Sequence, residues 1–352
     1  MILRKTNPNM NENEYLNNIQ DVNANFINAL IENNFVLPHE MPVEIHPYKN
    51  DLPLQNFDNY IIGTFPPISY LNDNILLNNE GLNTLHNPNG NLLSAPAIPF
   101  YHGNSYNLSL WQYILDEHLF NHVFEELNRL AAKDFLINYL QDNSINYSDI
   151  IYSTKRKKYS PSDSCLHDVI INDDLLKHIL TNNNVTRLLF NTASAFSKSG
   201  IKIHQNNGER SIVGRVNVNN TANSFDLFFR ALQDRNCIIK FSVENDNWIE
   251  VNVNNRVELS NIFSSKIIFK AKIVIPARND FFNNEQEIAK EIYVVTPFSP
   301  AARGRVNSNP VILNWRQQNN NQDRSVLLKL IYQSFLRFNQ EDLIFLNSLN
   351  VE

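Results

Sequence analysis

Four short apolar runs, each cut off by a loop opening on Gly, Pro, Asn or a basic stretch, constrain this chain more than any other feature. Tyr60-Ile61-Ile62 is stopped by Gly63-Thr64-Phe65-Pro66-Pro67. Asp149-Ile150-Ile151-Tyr152 follows, then Val185–Phe190, broken at Asn191, then Ile292-Tyr293-Val294-Val295, which runs into Thr296-Pro297-Phe298-Ser299-Pro300. Continuous apolar runs of this length predict strands buried on both faces. Between them, Leu110–Leu119, Phe120–Leu140 and residues 173–180 carry apolar residues at helical spacing, and residues 324–338 make a closing amphipathic helix. Strands alternating with helices predict an α/β domain built on a central, mainly parallel four-stranded sheet. Open α/β sheets take their ligands beyond the carboxyl ends of the strands, so a strand stopped by a Gly/Pro loop is where chemistry is to be sought.

The pattern changes between about Asn206 and Lys272. Ser211–Val218, Cys237–Val243, Trp248–Val253 and Lys266–Ile275 read as strands between Asn-rich turns, with one amphipathic segment at Phe225–Asp234. This predicts a β-rich subdomain with its own small sheet, inserted at about 206–272. Residues 1–56 form an N-terminal extension in which Leu16, Ile19, Val22, Phe26 and Leu30 give Tyr15–Asn33 a helical face. With no internal repeat and no long linker, residues 57–352 read as one elaborated domain.

At 352 residues and 43% hydrophobic, the chain is long enough to bury such a core. The opening MILRKTNPNM has no apolar signal-like region, and no stretch approaches the roughly 18 apolar residues of a membrane span, so a soluble, cytoplasmic protein with no membrane partner is expected. Cys165 and Cys237 offer neither a disulfide framework nor metal-ligand spacing, so no metal is expected. The net charge of -6 argues against indiscriminate coating of nucleic acid but leaves room for a local basic patch. The densest such patch, Lys155-Arg156-Lys157-Lys158, reads either as a solvated charge run or as phosphate contacts.

Two segments carry the chemistry most readily. The loop Gly63–Pro67 brings backbone close to a ligand, and its amide and carbonyl groups can position a water. The second segment, Phe100-Tyr101-His102-Gly103-Asn104-Ser105-Tyr106-Asn107, closed by Trp111, offers rings that stack on an extruded base and an amide that orients water without ionising. Each also has a plain structural reading, as a strand-to-loop turn and as an aromatic core cluster.

Together these segments resemble the strand-loop motif and the Phe-Tyr-x-Gly-x-x-x-Asn-…-Trp segment of the uracil-DNA glycosylase superfamily, closest to its hypoxanthine-DNA glycosylase-like and mismatch-specific branches. Further segments fit the same order. Asp149-Ile150-Ile151, then Arg156-Lys157 and Ser160-Pro161-Ser162-Asp163-Ser164, resembles the family segment in which a basic residue and a Ser-Asp pair follow the second strand. Leu188-Leu189-Phe190-Asn191-Thr192 resembles the family's Phe-Asn-Gly, whose Asn reads the base edge. Val295–Ala301 resembles the final Ser-Pro loop that presses on the DNA backbone. The resemblance implies a three-layer α/β/α uracil-DNA glycosylase-like fold, DNA as partner and no cofactor.

It also implies roles. Asn107, Gly63 and Thr64 are expected to be catalytic, with Phe65, Pro66, Phe100, Tyr101 and Asn191 around the base. Arg156, Lys157, Ser162, Asp163, Ser299, Pro300 and Arg303 are expected to hold DNA, Arg305 sharing that role. The chain departs from the uracil-specific branch, whose first loop carries an Asp and whose last loop carries a His. Thr64-Phe65 stand in the first loop here and no His stands in the last, so Asn107 takes the water-orienting role. Thr192 replaces the usual Gly after Asn191. The implied mechanism is dissociative hydrolysis; a lysine nucleophile from the 155–158 run is the alternative route.

The insertion, lying between the third and fourth strands, points to an unusual or bulky base. Some members of the superfamily act in bacterial antiphage defence by excising hypermodified bases such as glucosylated hydroxymethylcytosine, and that is the expectation for this chain. Housekeeping repair of hypoxanthine or uracil is the alternative. A non-catalytic DNA-binding module on the same fold, or an N-ribohydrolase acting on free nucleosides, would be readings of another class.

Overall fold

Along the chain, β1 (Glu44–Ile45) and β2 (Asn59–Gly63) precede α1 (Trp111–Ile114), α2 (Glu117–Asn121), a π-helical turn at His122–Glu126 and α3 (Arg129–Asp142). Next come β3 (Ile145–Asp149), β4 (Ile151–Arg156), β5 (Leu166–Ile171), α4 (Asp173–Thr181) and β6 (Arg187–Phe190). The hairpin β7 (Gly200–Asn206) and β8 (Glu209–Val216) leads to α5 (Ser224–Gln233), β9 (Ile238–Ser242), β10 (Trp248–Glu250) and β11 (Phe269–Ile275). After the small pair β12 (Arg278–Asn279) and β13 (Asn284–Glu285), β14 (Lys290–Thr296) is followed by α6 (Pro310–Gln318), α7 (Arg324–Arg337) and α8 (Gln340–Ser348). This is a computed structural model, and it describes residues 43–48, 51–66, 98, 100–101, 109–156, 166–191, 200–206, 209–216, 224–242, 247–252, 268–279, 284–285, 289–297 and 309–349.

The central sheet is α/β and mainly parallel at its heart. β14, β6, β2 and β3 lie side by side in that order, all parallel. Successive side chains of a strand point to opposite faces, and here both faces are covered. Ile61, Leu189 and Val295 share one core with α1, α3, α6, α7 and α8, built around Trp111, Leu136, Trp315, Ile331 and Phe335. Tyr60, Ile62, Leu188, Phe190 and Val294 share the other with α4 and α5, built around Leu176, Ile179, Phe228 and Leu232. Burial from both sides is why these strands read as unbroken apolar runs. The abundant Asn residues find a use at the helix starts: the side chains of Asn128, Asn172, Asn309 and Asn339 accept backbone N–H groups at the N-termini of α3, α4, α6 and α8.

Three expectations need correction. The sheet has seven strands rather than four, because β11, β9 and β10 extend it antiparallel beyond β14. Accordingly, the segment at 206–272 does not carry one sheet of its own: β9, β10 and part of β11 belong to the central sheet, while β7 and β8 form a separate hairpin, with β8 alongside β5. Burying Ile239, Phe241, Ala271 and Ile273 in the α4/α5 core explains this, since a detached sheet would leave those faces wet. Finally, the second core strand is Ile145–Asp149 and not 149–152. The chain leaves the central sheet after Asp149 and enters a three-stranded sheet of order β1-β4-β5.

Lys155 and Arg156 therefore lie on β4, opposite His167 and Leu166. The expected helix at Tyr15–Asn33 lies outside the described residues, as do Asn107, Lys157, Ser162, Asp163, Thr192, Ser299, Pro300, Arg303 and Arg305. Among the described residues no helix is long and apolar enough to cross a membrane.

Candidate functional site

The parallel strands β2, β3 and β6 end level with one another, and the helices that follow them lie on opposite faces of the sheet. α1–α3, which follow β2, lie on one face, and α4 and α5, which follow β3 and β6 by way of β4–β5 and β7–β8, lie on the other. At such a divergence open α/β sheets take their ligands. Gly63 sits in the middle of this divergence, opposite Asp149 in the register of β2 and β3, with Phe190 opposite Ile62 on the other side. Backbone bonds lock these ends together: Ile150 N–H donates to Gly63 O at 2.9 Å, Ile151 N–H to Thr64 O at 3.1 Å, and Asn191 N–H to Ile62 O at 3.0 Å.

Gly63 is glycine for a spatial reason. A Cβ there would lie 2.0 Å from Asp149 Oδ1 and 3.4 Å from Asn191 Nδ2, so the missing side chain is what lets the carboxylate and the amide close on the same spot. Asn191 is held in turn by Tyr147, whose hydroxyl accepts from Asn191 Nδ2 at 2.8 Å. Three residues from three parallel strands or their first loop positions thus converge: Gly63, Asp149 and Asn191.

Asp149 is paired with His46, which the sheet β1-β4-β5 carries to the strand ends. His46 N–H donates to Tyr152 O at 2.9 Å, fixing the turn after β1. Its Nε2 lies 2.9 Å from Asp149 Oδ2, with both side chains almost wholly buried, 3% and 4% exposed. Its Nδ1 accepts the N–H of Tyr48 at 3.1 Å, which places the ring's proton on Nε2 and makes His46 the donor to Asp149. Asn172 fixes the other side of Asp149, donating from Nδ2 to its backbone carbonyl at 3.2 Å. Asp149 Oδ1 is buried and has no hydrogen-bond partner.

Aromatic rings wall this group. The His46 ring meets Phe65 edge-on with centroids 5.7 Å apart and lies 5.4 Å from Tyr101, which is 4.3 Å from Tyr147. Burial drives the Tyr101 hydroxyl well above its ordinary range, and the negative charges of Asp149 and Asp51 push in the same direction. Phe100 stands behind this wall, fully buried and stacked on Trp111 at 6.0 Å, while Trp111 Nε1–H donates to Tyr101 O at 2.6 Å. Phe100 therefore supports Tyr101 from the core.

Of the residues singled out in the sequence, Gly63, Thr64, Phe65, Pro66, Tyr101 and Asn191 are brought together at these strand ends, and all are buried. Arg156, at the far end of β4, is separated from them along that strand. His46, Tyr147 and Asp149 were missed as site residues. Asp149 carried a signal, an acidic residue ending an apolar strand region, whereas His46 lies 103 residues away in sequence and carried none.

A second, partly buried polar cluster lies at the opposite, amino-terminal end of the sheet. The Tyr60 hydroxyl bonds His178 Nδ1, and Lys290 Nζ donates to the carbonyls of Asn182 and Ile179 at the end of α4. Burial pushes Lys290 down to about 8 and raises Tyr60, and His178 is lowered by burial and by the charge of Lys290. An amine on the last carbonyls of a helix is a structural cap. No family model, curated protein or solved structure matches this chain.

Proposed function

We propose that this chain is a DNA glycosylase that extrudes a modified base into the crevice at Gly63, Asp149 and Asn191 and hydrolyses its N-glycosidic bond, leaving an abasic site. The observation that carries the reading is the convergence itself. The three segments whose sequences resemble the pocket of the uracil-DNA glycosylase superfamily, Gly63–Pro66, Phe100–Tyr101 and Phe190–Asn191, meet at one end of the parallel strands of one sheet. In this reading Asn191 hydrogen-bonds the base edge, Phe65 and Tyr101 enclose its ring, and the Gly63–Pro67 loop with Asn107 positions the attacking water. Arg156, Lys157, Ser162, Asp163, Ser299, Pro300 and Arg303 contact the DNA backbone, which explains binding by a chain of net charge -6 through local contacts.

The breaking bond leaves its electron pair on the base and positive charge on the sugar. Fixed dipoles and charges in a closed, low-dielectric site stabilise such a charge far better than water does, because they need no reorganisation. For the biological substrate we propose a hypermodified cytosine, with antiphage defence as the purpose. The long excursion between β6 and β14, which includes a hairpin lying beside β5, supports a site adapted to a bulky base.

The test is base release from duplexes carrying uracil, hypoxanthine or glucosylated hydroxymethylcytosine. Release of the glucosylated base supports the defence reading. Release of only uracil or hypoxanthine overturns it and leaves a repair glycosylase, and release from free nucleosides but not from duplexes overturns the DNA reading.

A further inference from the structure

We propose that Asp149, held by His46, is the catalytic carboxylate of this crevice: it faces the sugar as positive charge develops there and takes a proton from the attacking water. The proposal rests on the glycosylase reading above and supplies it with an ionisable group, which the loop after β2, with Thr64 and Phe65, does not offer.

Three observations support it. First, the carboxylate is half satisfied. Oδ2 receives the His46 N–H, while Oδ1 is buried with no hydrogen-bond partner and lies against Gly63, where the strand ends converge. A buried ion left half-bonded costs stability, and a group kept in that condition at a strand-end crevice is better explained by a partner that arrives with substrate. Second, the charge is not cancelled by the protein. His46 Nδ1 accepts from Tyr48, so the ring donates as a neutral imidazole, and no Lys or Arg among the described residues forms an ion pair with Asp149. The missing partner is a cation or a hydrogen-bond donor, and an oxocarbenium-like sugar with its attacking water is both. Third, Asp149 is pinned at the side chain by His46, at its backbone carbonyl by Asn172, and through the neighbouring Ile150 N–H bond to Gly63 O, so it needs no rearrangement when charge appears.

The step balances. The C1′–N bond breaks with its electron pair leaving on the base, and the water oxygen bonds C1′. One water proton passes to Asp149 Oδ1 and then, through solvent, to the departing base. The products are a neutral base and an abasic hemiacetal, and Asp149 is returned to its starting state. His46 is a positioning residue, aiming the carboxylate through Nε2–H.

The experiment measures binding to two abasic-site duplexes, one with a cationic pyrrolidine in place of the sugar and one with neutral tetrahydrofuran. It is independent of which base is excised. Wild type is expected to prefer the pyrrolidine duplex by about tenfold or more, and Asp149→Asn, close in shape, to bind both alike while keeping its cooperative thermal unfolding. His46→Phe, which leaves the carboxylate but removes its donor, is expected to lose most of the preference, and His46→Gln, which keeps an N–H, to recover part of it. An undiminished preference in Asp149→Asn, or no preference in a wild type that still releases base, overturns the role of Asp149 and leaves the glycosylase reading standing. A wild type that binds neither abasic duplex more tightly than undamaged DNA and releases no base overturns both.

Discussion

Replacing Gly63 by Ala tests the geometry of the crevice without assuming any activity. The added Cβ would sit 2.0 Å from Asp149 Oδ1. Ordinary contact begins near 3.4 Å, so the carboxylate must retreat by about 1.4 Å or the strands must part. Retreat breaks the 2.9 Å bond to His46, a charged hydrogen bond whose loss costs about 1.5–3 kcal/mol, and overpacking adds about 1–3 kcal/mol. Gly63→Ala alone should therefore destabilise by about 2.5–6 kcal/mol. In an Asp149→Ala background the obstacle is gone, Asn191 Nδ2 at 3.4 Å is an ordinary neighbour, and Gly63 has the extended backbone of a strand, which Ala adopts freely. There the same change should be neutral or stabilising by about 0.5 kcal/mol, because Ala restricts the unfolded chain. Urea unfolding of the four proteins in the cycle should give a coupling of about 2.5–6 kcal/mol. Equal costs of Gly63→Ala in both backgrounds would falsify the placement of Asp149 against Gly63.

Further outcomes follow from groups outside the crevice. Lys290 is depressed to about 8 by burial against an ordinary 10.5, so folding disfavours its charged form. Its contribution is most favourable above pH 10.5 and is lost as pH falls through 8, so wild type should gain stability relative to Lys290→Met between pH 8 and 10.5; a constant difference in urea midpoints would contradict this. Arg187 bonds Asp58 at 3.1 Å and Leu336 O at 3.1 Å and lies 4.9 Å from the Phe338 ring. Arg187→Ala should cost about 2–4 kcal/mol and Arg187→Lys nearly as much, since an ammonium cannot stack and bond in one plane; full recovery by Lys in urea unfolding would refute the stacking. Burial pushes the Cys237 thiol up to about 12, so in a Cys165→Ser protein alkylation at pH 8 should proceed only as fast as unfolding, and labelling at a free thiol's rate would contradict its burial.

How far the sequence could be read depended on which side chains each strand had to bury. β2, β6 and β14 were legible because both faces of each are apolar. β3 was not, since Ile145-Asn146-Tyr147-Ser148-Asp149 is half polar. It is buried all the same, because the fold brings partners to Asn146 and Ser148: Asn146 exchanges two 2.8 Å bonds with Gln55, and Asn172 Nδ2 donates to Ser148 Oγ at 3.3 Å. A reading by apolar runs therefore slid the strand toward Ile150 and Ile151. β9 and β11 were legible as strands, but the edge they join is set by antiparallel pairing with β14, a long-range choice no local pattern records. At the crevice, Gly63, Tyr101 and Asn191 stood out through their motifs. His46 did not, because only the pairing of β1 with β4 carries it to Asp149.

The central claim is that this crevice breaks an N-glycosidic bond in DNA by adding water. Its most direct test is a single-turnover reaction in ¹⁸O-labelled water with the duplex panel, quenched into borohydride so that C1′ is reduced before its oxygen exchanges with solvent, and read by mass spectrometry of both products. The account predicts one free base and one abasic site carrying ¹⁸O at C1′, at a rate reduced by orders of magnitude in Asp149→Asn. An abasic product without the label, or folded protein that releases no base from any of the duplexes, would contradict it.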